Sequence, residues 1–170
     1  MRGVEFVTSD DHPGLGAARK AVLPGALWQR CQFHLAQNAI NHAPTMAIRK
    51  RIGAELRGVW NARDRTTAEA ELGRLVKDYS ESAPKLARWL EQAIPEGLTV
   101  FSLPESHRRR IRTANPIERA IQQEIKRRTR KIRGFPNEAS LERLATAILV
   151  EIDEEWTSTT RTYINMKNPE

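Results

Sequence analysis

The sequence predicts an α/β protein in which helix dominates. Three observations carry this. A β-prone run at Val4–Thr8 and a weaker one at Ala26–Cys31 flank a helical pattern near the N-terminus. From Thr45 to about Ile94 only helical patterns occur. A further pair of amphipathic patterns fills most of the stretch from Asn115 to Trp156.

In chain order, Val4, Phe6 and Val7 make a short strand, ended by Ser9-Asp10-Asp11-His12-Pro13-Gly14, a loop leading into a helix start. Leu15, Ala18 and Val22 fall at helical spacing over Pro13–Val22, and Pro24-Gly25 closes that helix. After the second strand, residues 33–43 read as helix. Three apolar stripes follow: Ile48, Ile52, Leu56 and Val59/Trp60; then Leu72, Leu75, Val76 and Tyr79; then Leu86, Trp89, Leu90, Ala93 and Ile94. These are core stripes and receive no chemistry. Pro95-Glu96-Gly97 breaks the pattern, and residues 98–103 read as extended or loop. Asn115-Pro116 opens a helix, with asparagine as a good cap and proline suited to the first position. It carries Ile117, Ile121, Ile125 and Ile132 inward and closes at Gly134-Phe135-Pro136. A last helix over 137–156 turns Leu141, Leu144, Ala145, Ile148, Ile152 and Trp156 to one face; the tail beyond Thr157 is polar.

The 170 residues are 39% hydrophobic and 29% charged, a globular rather than a disordered composition. No apolar run approaches the roughly 20 residues of a membrane helix. The N-terminus lacks a secretory pattern, so the expected location is cytoplasmic. One cysteine, Cys31, excludes an internal disulfide framework.

The net charge is +7, and its distribution is the stronger signal. Between Glu105 and Arg133 lie eleven cations: Arg108, Arg109, Arg110, Arg112, Arg119, Lys126, Arg127, Arg128, Arg130, Lys131 and Arg133. Only Glu105, Glu118 and Glu124 oppose them, so the other 141 residues net to −1. Such a localised stripe is the footprint of a phosphate-backbone partner. The stripe contains no aromatic residue, which argues against stacking of single-stranded bases and weakens an RNA-binding reading.

Two carboxylates are candidates for chemistry. Asp10 stands where a strand gives way to a loop, a position that suits a catalytic carboxylate and equally an ordinary turn residue. Glu118 lies three residues after Asn115, where it completes a capping box, or serves as a metal ligand inside a basic helix. Spacing leaves both readings open. Cys31 and His34 have Cys-x2-His spacing, but two ligands do not make a structural zinc site, and His12 and His42 supply no second pair with metal-like spacing.

At these residues a resemblance enters. Asp10-x3-Gly14-Leu15, followed after six residues by Val22-Leu23-Pro24-x-Ala26-x2-Gln29-x-Cys31-x2-His34, resembles the signature of the Mutator-type transposases of bacterial insertion sequences. Phe101 to His107, Arg112 to Arg119, Glu124 to Arg130, Gly134 to Asn137 and Glu154-Glu155-Trp156 continue the likeness over nearly the whole chain.

The resemblance implies a ribonuclease H-like domain with an all-helical insertion. Residues 1–44 would be part of the core, 45–97 the insertion, 98–157 the C-terminal part of the core and 158–170 a tail. It implies an Asp, Asp, Glu catalytic set in which Asp10 matches the second Asp and Glu118 the Glu, with Cys31 and His34 beside the site. It implies two Mg²⁺ ions, cleavage and strand transfer at the ends of a mobile element, and double-stranded DNA along the Arg108–Arg133 stripe. Only nine residues precede Asp10 and none is Asp. The expectation is therefore a C-terminal portion, catalytically incomplete, with an exposed edge at the first strand and a tendency to associate with a second copy or with full-length transposase. The alternative is a non-catalytic DNA-binding or interaction remnant that co-assembles with or inhibits the full-length protein.

Overall fold

Strand β1 (Phe6–Ser9) runs parallel to β2 (Leu27–Arg30), with Phe6 opposite Leu27 and Ser9 opposite Arg30. Parallel neighbours need a crossover, and helix α1 (Pro13–Val22) supplies it. The computed structural model describes residues 3–130, 132 and 134–160. They fall into two units that divide between Ala114 and Asn115. The two strands are the whole sheet among the described residues. β1 starts two residues later and ends one later than the β-prone run suggests, and α1 has the expected bounds. Proline occupies the first turn of α1, where its missing N–H costs nothing, and the His12 side chain accepts from Gly14 N at 3.2 Å to cap it.

The core of the first unit is built by four helices: α2 (Gln32–His42), α3 (Met46–Trp60), α4 (Arg65–Tyr79) and α5 (Pro84–Ala93). α2 packs on α3 and α5, α3 on α4, and α4 on α5, closing a ring. Leu35 and Ala39 of α2, Ile52, Leu56 and Val59 of α3, Leu75 of α4, and Leu86 and Leu90 of α5 are completely buried in one cluster. Burial of each large aliphatic side chain contributes roughly 1.5–3 kcal/mol. Helix starts are marked by their own side chains. Thr45 accepts from Ile48 N, and Asp64 accepts from Thr67 N at 2.8 Å. The Thr67 hydrogen bond is the main reason the Asp64 carboxyl lies below its ordinary value. At the edge of the core the Tyr79 hydroxyl donates to Glu55; burial first, and that bond second, push it up to about 12.

Two 3₁₀ turns, Ile94–Gly97 and Thr99–Ser102, follow α5. The second corrects the extended reading of residues 98–103: Phe101 N donates to Leu98 O and Leu103 N to Val100 O, so the backbone satisfies itself locally in a turn. Helix α6 (Glu105–Ile111) is absent from the sequence reading altogether. It buries only His107, so it has no apolar stripe to detect.

The sheet is attached to this core by polar groups. Gln29 on β2 is fully buried and has both ends satisfied. Its Nε2 donates to Gly97 O at 2.7 Å and to Arg30 O at 2.9 Å, while Oε1 accepts from Val100 N at 2.7 Å. Gln32 Nε2 donates to the same Gly97 carbonyl at 2.8 Å. Gly97 lets the turn approach this closely, and any side chain there would have to push Leu35 aside. A Cβ at this position would lie 2.6 Å from Leu35 Cδ1 and 3.1 Å from the Trp60 ring.

The second unit contains helices α7 (Asn115–Thr129) and α8 (Glu138–Ser158), which pack on each other. Asn137 caps α8 by accepting from Ser140 N at 2.9 Å. Two sequence expectations are corrected here. α7 ends at Thr129, so Ile132 lies beyond the helix and is exposed, as is Ile117. On α8 only Ile148 is buried, while Leu141 and Trp156 are exposed. α8 runs to Ser158, past the expected start of the tail; residues 161–170 lie outside the described residues.

Replacing Gly97 by alanine must displace Leu35 or Trp60 in a close-packed core. The expected cost is about 1–3 kcal/mol, read as a lower urea midpoint with unchanged slope. Wild-type stability in Gly97→Ala would show that the close approach constrains nothing.

Candidate functional site

Asp10 directly follows β1, and the neighbouring strand end holds its loop. Cys31 N donates to Ser9 O at 2.8 Å, and Trp28 Nε1 donates to Ser9 Oγ at 2.9 Å. The Thr8 hydroxyl donates to Ile111 O, tying β1 to the end of α6. Asp10 Oδ1 accepts from Asp11 N at 2.8 Å and lies 3.8 Å from His34 Nδ1 on α2. The Asp10 side chain is about half exposed, at 48%. Its carboxylate thus has a fixed backbone, one oxygen partly engaged and an open side.

Arg30 is the residue that sequence reasoning missed. It is only 9% exposed, at the end of β2 opposite Ser9. Its Nη1 reaches Asp11 Oδ2 at 3.1 Å and Glu96 Oε2 at 2.9 Å. A buried guanidinium needs carboxylate partners, and these two fasten the Asp10–Asp11 loop to the first 3₁₀ turn. The available signal was the polar run Gln29-Arg30-Cys31-Gln32 at the end of a strand, in which all four residues are buried.

Cys31 is fully buried, with Sγ 3.2 Å from Thr113 Oγ1. The other two histidines considered for zinc have separate roles. His12 caps α1, and His42 stacks on Trp89 with ring centroids 4.9 Å apart. Among the described residues no group of three or more His, Cys, Asp or Glu side chains could hold a metal ion. Asp10 suits one arm of a divalent-cation site, but the described residues do not by themselves fit a two-metal site. Glu118 lies in the first turn of α7, half-buried, and belongs to the second unit.

The cations of the stripe are not equivalent. Arg108 Nε donates to Leu103 O and Nη1 to Arg63 O, both at 2.8 Å, with its guanidinium 5.2 Å from the Phe101 ring centre. Arg112 Nη1 donates to Asn61 Oδ1 at 2.8 Å and to Trp60 O at 3.3 Å. Burial, and secondarily the charge of Arg109, push the Arg112 guanidinium down from its ordinary value. Both arginines thus fasten α6 to the ends of α3 and of the second 3₁₀ turn. Arg109 and Arg110 are exposed on α6.

On α7, Arg127 forks onto Glu124 through Nε (2.9 Å) and Nη2. Arg128 bridges Glu124 at 2.8 Å and Glu151 of α8 at 2.7 Å. Arg119, Lys126 and Arg130 are exposed and make no ion pair or hydrogen bond among the described residues. Lys131 and Arg133 lie outside the described residues. An open concavity of about 290 Å³ is lined by Gln123, Lys126, Arg127 and Arg130. No helix of the described residues is long and apolar enough to cross a membrane.

The sequence profile of the family described as "Transposase, Mutator family" matches residues 1–159. The chain is similar to the transposase for insertion sequence element IS406 of Burkholderia multivorans, 49% identical over 169 residues, covering 99% of this chain and 43% of that protein. It is 42% identical over 166 residues to the transposase for insertion sequence element ISRM5 of Rhizobium meliloti, covering 98% of this chain and 41% of that protein. It is 35% identical over 156 residues to the transposase for insertion sequence element IS1081 of Mycobacterium tuberculosis, covering 92% and 37%. The chain spans about two fifths of the length of these curated relatives.

Glu124 sets a pH dependence. Hydrogen bonds from Arg127, then from Arg128, hold its carboxyl near 2 against an ordinary 4.5. The fold favours the ionised form, so this contribution is complete above about pH 4.5 and is lost as pH falls through about 2. Thermal melts between pH 6 and pH 2 should show wild type losing its advantage over Glu124→Gln across that window. A constant difference between the two would contradict the pairing.

Proposed function

Because the chain belongs to the Mutator family of transposases, we propose that it is the part of a DNA transposase that supplies Asp10 and Glu118 as two of the catalytic carboxylates. The reading extends to a ribonuclease H-like core over 1–44 and 98–157, with 45–97 as its helical insertion. The reaction class is Mg²⁺-dependent cleavage and strand transfer at the ends of an insertion sequence, in the bacterial cytoplasm on nucleoid DNA. Beside the family membership itself, the observation that carries this is the placement of Asp10. A half-exposed carboxylate at the end of a parallel strand, flanked by His34, has a fixed backbone and an accessible oxygen. The cations on α6 and α7 supply sequence-independent attraction for phosphates, and such contacts position a duplex more than they read it.

A second reading has its own support. The exposed cations of α6 and α7 offer phosphates the same attraction whether or not a strand is cut. On this second reading the chain is a DNA-binding or co-assembling element that binds duplex DNA without cleaving it.

One experiment separates the two. The chain is incubated with supercoiled plasmid and Mg²⁺ to read nicking, and with a labelled duplex of arbitrary sequence over a KCl series to read binding. The expected result is salt-sensitive binding without nicking, and binding unaltered in Asp10→Asn. Nicking that vanishes in Asp10→Asn and in Glu118→Gln would establish a complete enzyme instead. Absence of any duplex binding at low salt would remove both readings.

A further inference from the structure

Of the eleven cations that mark the stripe in sequence, those among the described residues divide by what they already hold. Arg108 and Arg112 spend their donors on carbonyls of the first unit, and Arg128 clasps α7 to α8 through Glu124 and Glu151. Gln123, Lys126, Arg127 and Arg130 are spaced i, i+3, i+4 and i+7, so they share one face of α7 and its continuation. That face is the lining of the 290 Å³ concavity. Lys126 and Arg130 bring two positive charges to it with no anion among the described residues to offset them. Arg127 is held over the same hollow by Glu124, with 67% of its side chain exposed.

We propose that Gln123, Lys126, Arg127 and Arg130 form a phosphate-binding strip for the backbone of duplex DNA, and that Arg128, Arg108 and Arg112 are structural. The proposal rests on the DNA-binding reading above and says which residues perform it. The chemistry selects the ligand. Three cationic heads donate only, the Gln123 amide adds two N–H donors, and among the described residues no aromatic or aliphatic residue lines the hollow to stack on or enclose a base. At about 1.5 Å of rise per residue, Gln123 to Arg130 spans about 10 Å. Successive phosphates on one strand rise about 3.4 Å along the duplex axis but also wind around it, so a straight strip of this length faces about two of them. Glu124 is a positioning residue in this scheme. Its fork fixes the Arg127 guanidinium instead of leaving it to wander, at the cost of one negative charge beside the strip.

Salt dependence reads the division directly. Each phosphate contact contributes about 0.9 to the slope of log affinity against log salt, so losing one contact removes roughly a 3.5-fold share of the affinity change between 50 and 200 mM. The full chain is titrated with duplex DNA of arbitrary sequence over that range. Lys126→Ala and Arg130→Ala should each flatten the slope by about 0.9. Arg128→Ala should keep the wild-type slope and lower the melting temperature. In parallel, inorganic pyrophosphate is titrated while the arginine Nε–Hε resonances are followed by NMR; those of Arg127 and Arg130 should move and that of Arg128 should not. Wild-type slopes in both strip variants overturn the strip while leaving DNA binding intact. Pyrophosphate shifts without any duplex binding overturn the DNA reading while leaving an anion site. A flattened slope in Arg128→Ala overturns the division between binding and clasping cations.

Discussion

The buried polar end of β2 is the constraint from which the first unit follows. Gln29, Arg30 and Gln32 are all buried, and a polar group taken out of water without a partner costs about 1–3 kcal/mol. Much of this demand is met at the 3₁₀ turn ending at Gly97, while Gln32 Oε1 and Arg30 Nε find no hydrogen-bond partner among the described residues. One carbonyl there accepts from two glutamines, the next turn donates Val100 N to Gln29, and Glu96 accepts from Arg30. The turn must come very close to the sheet and to Leu35 and Trp60, so residue 97 has no side chain. A two-stranded sheet alone is marginal in water. Here it is stapled by polar bonds to a helical cluster that has a full apolar core.

That attachment also determines where Asp10 stands. Arg30 links the Asp11 carboxylate to Glu96, and Thr8 reaches the carbonyl of Ile111. The loop after β1 is therefore fastened on both sides to the turns and short helix that follow α5. Asp10 itself is left half exposed, with His34 Nδ1 3.8 Å from its carboxylate. Stability and site share the same residues: groups that satisfy the strand end also hold the carboxylate loop. The positive charge follows a similar economy. Some arginines are consumed in joining elements, while Arg109 and Arg110 stay exposed on α6 and Lys126, Arg127 and Arg130 on one face of α7 and its end.

Much of this was legible from residue order. Pro13 and Pro24-Gly25 bracket α1, and the stripes through Ile52–Leu56, Leu72–Leu75 and Leu86–Leu90 locate α3, α4 and α5 because each buries a wide apolar face. The position of Asp10 at a strand end follows from a β-prone run meeting a turn cluster. Other features leave no periodic trace. α6 buries only His107, so its arginine-rich seven residues look like pure surface. On α7 and α8 the spacing of apolar residues overstates burial: two helices packed on each other have one facing side, and Ile117, Leu141 and Trp156 fall off it. Arg30 was invisible as a key residue because its partners, Asp11 and Glu96, are 19 residues before and 66 residues after it in sequence. The different employment of Arg112, Arg128 and Lys126 is likewise a matter of three-dimensional partners, which composition does not contain.

The central claim is that β2, the strand on which β1 and the Asp10 loop are paired, is secured to the helical core through the Gln29–Gly97–Val100 bonds. Native-state hydrogen exchange on the Val100 amide, whose N–H is donated to a buried glutamine, tests it most directly. The account predicts that Val100 N–H and Cys31 N–H exchange only by the global opening that also releases Leu56 and Leu90 in the helical core. Exchange of Val100 and Cys31 through a low-energy local opening, while α3 and α5 remain protected, would contradict it.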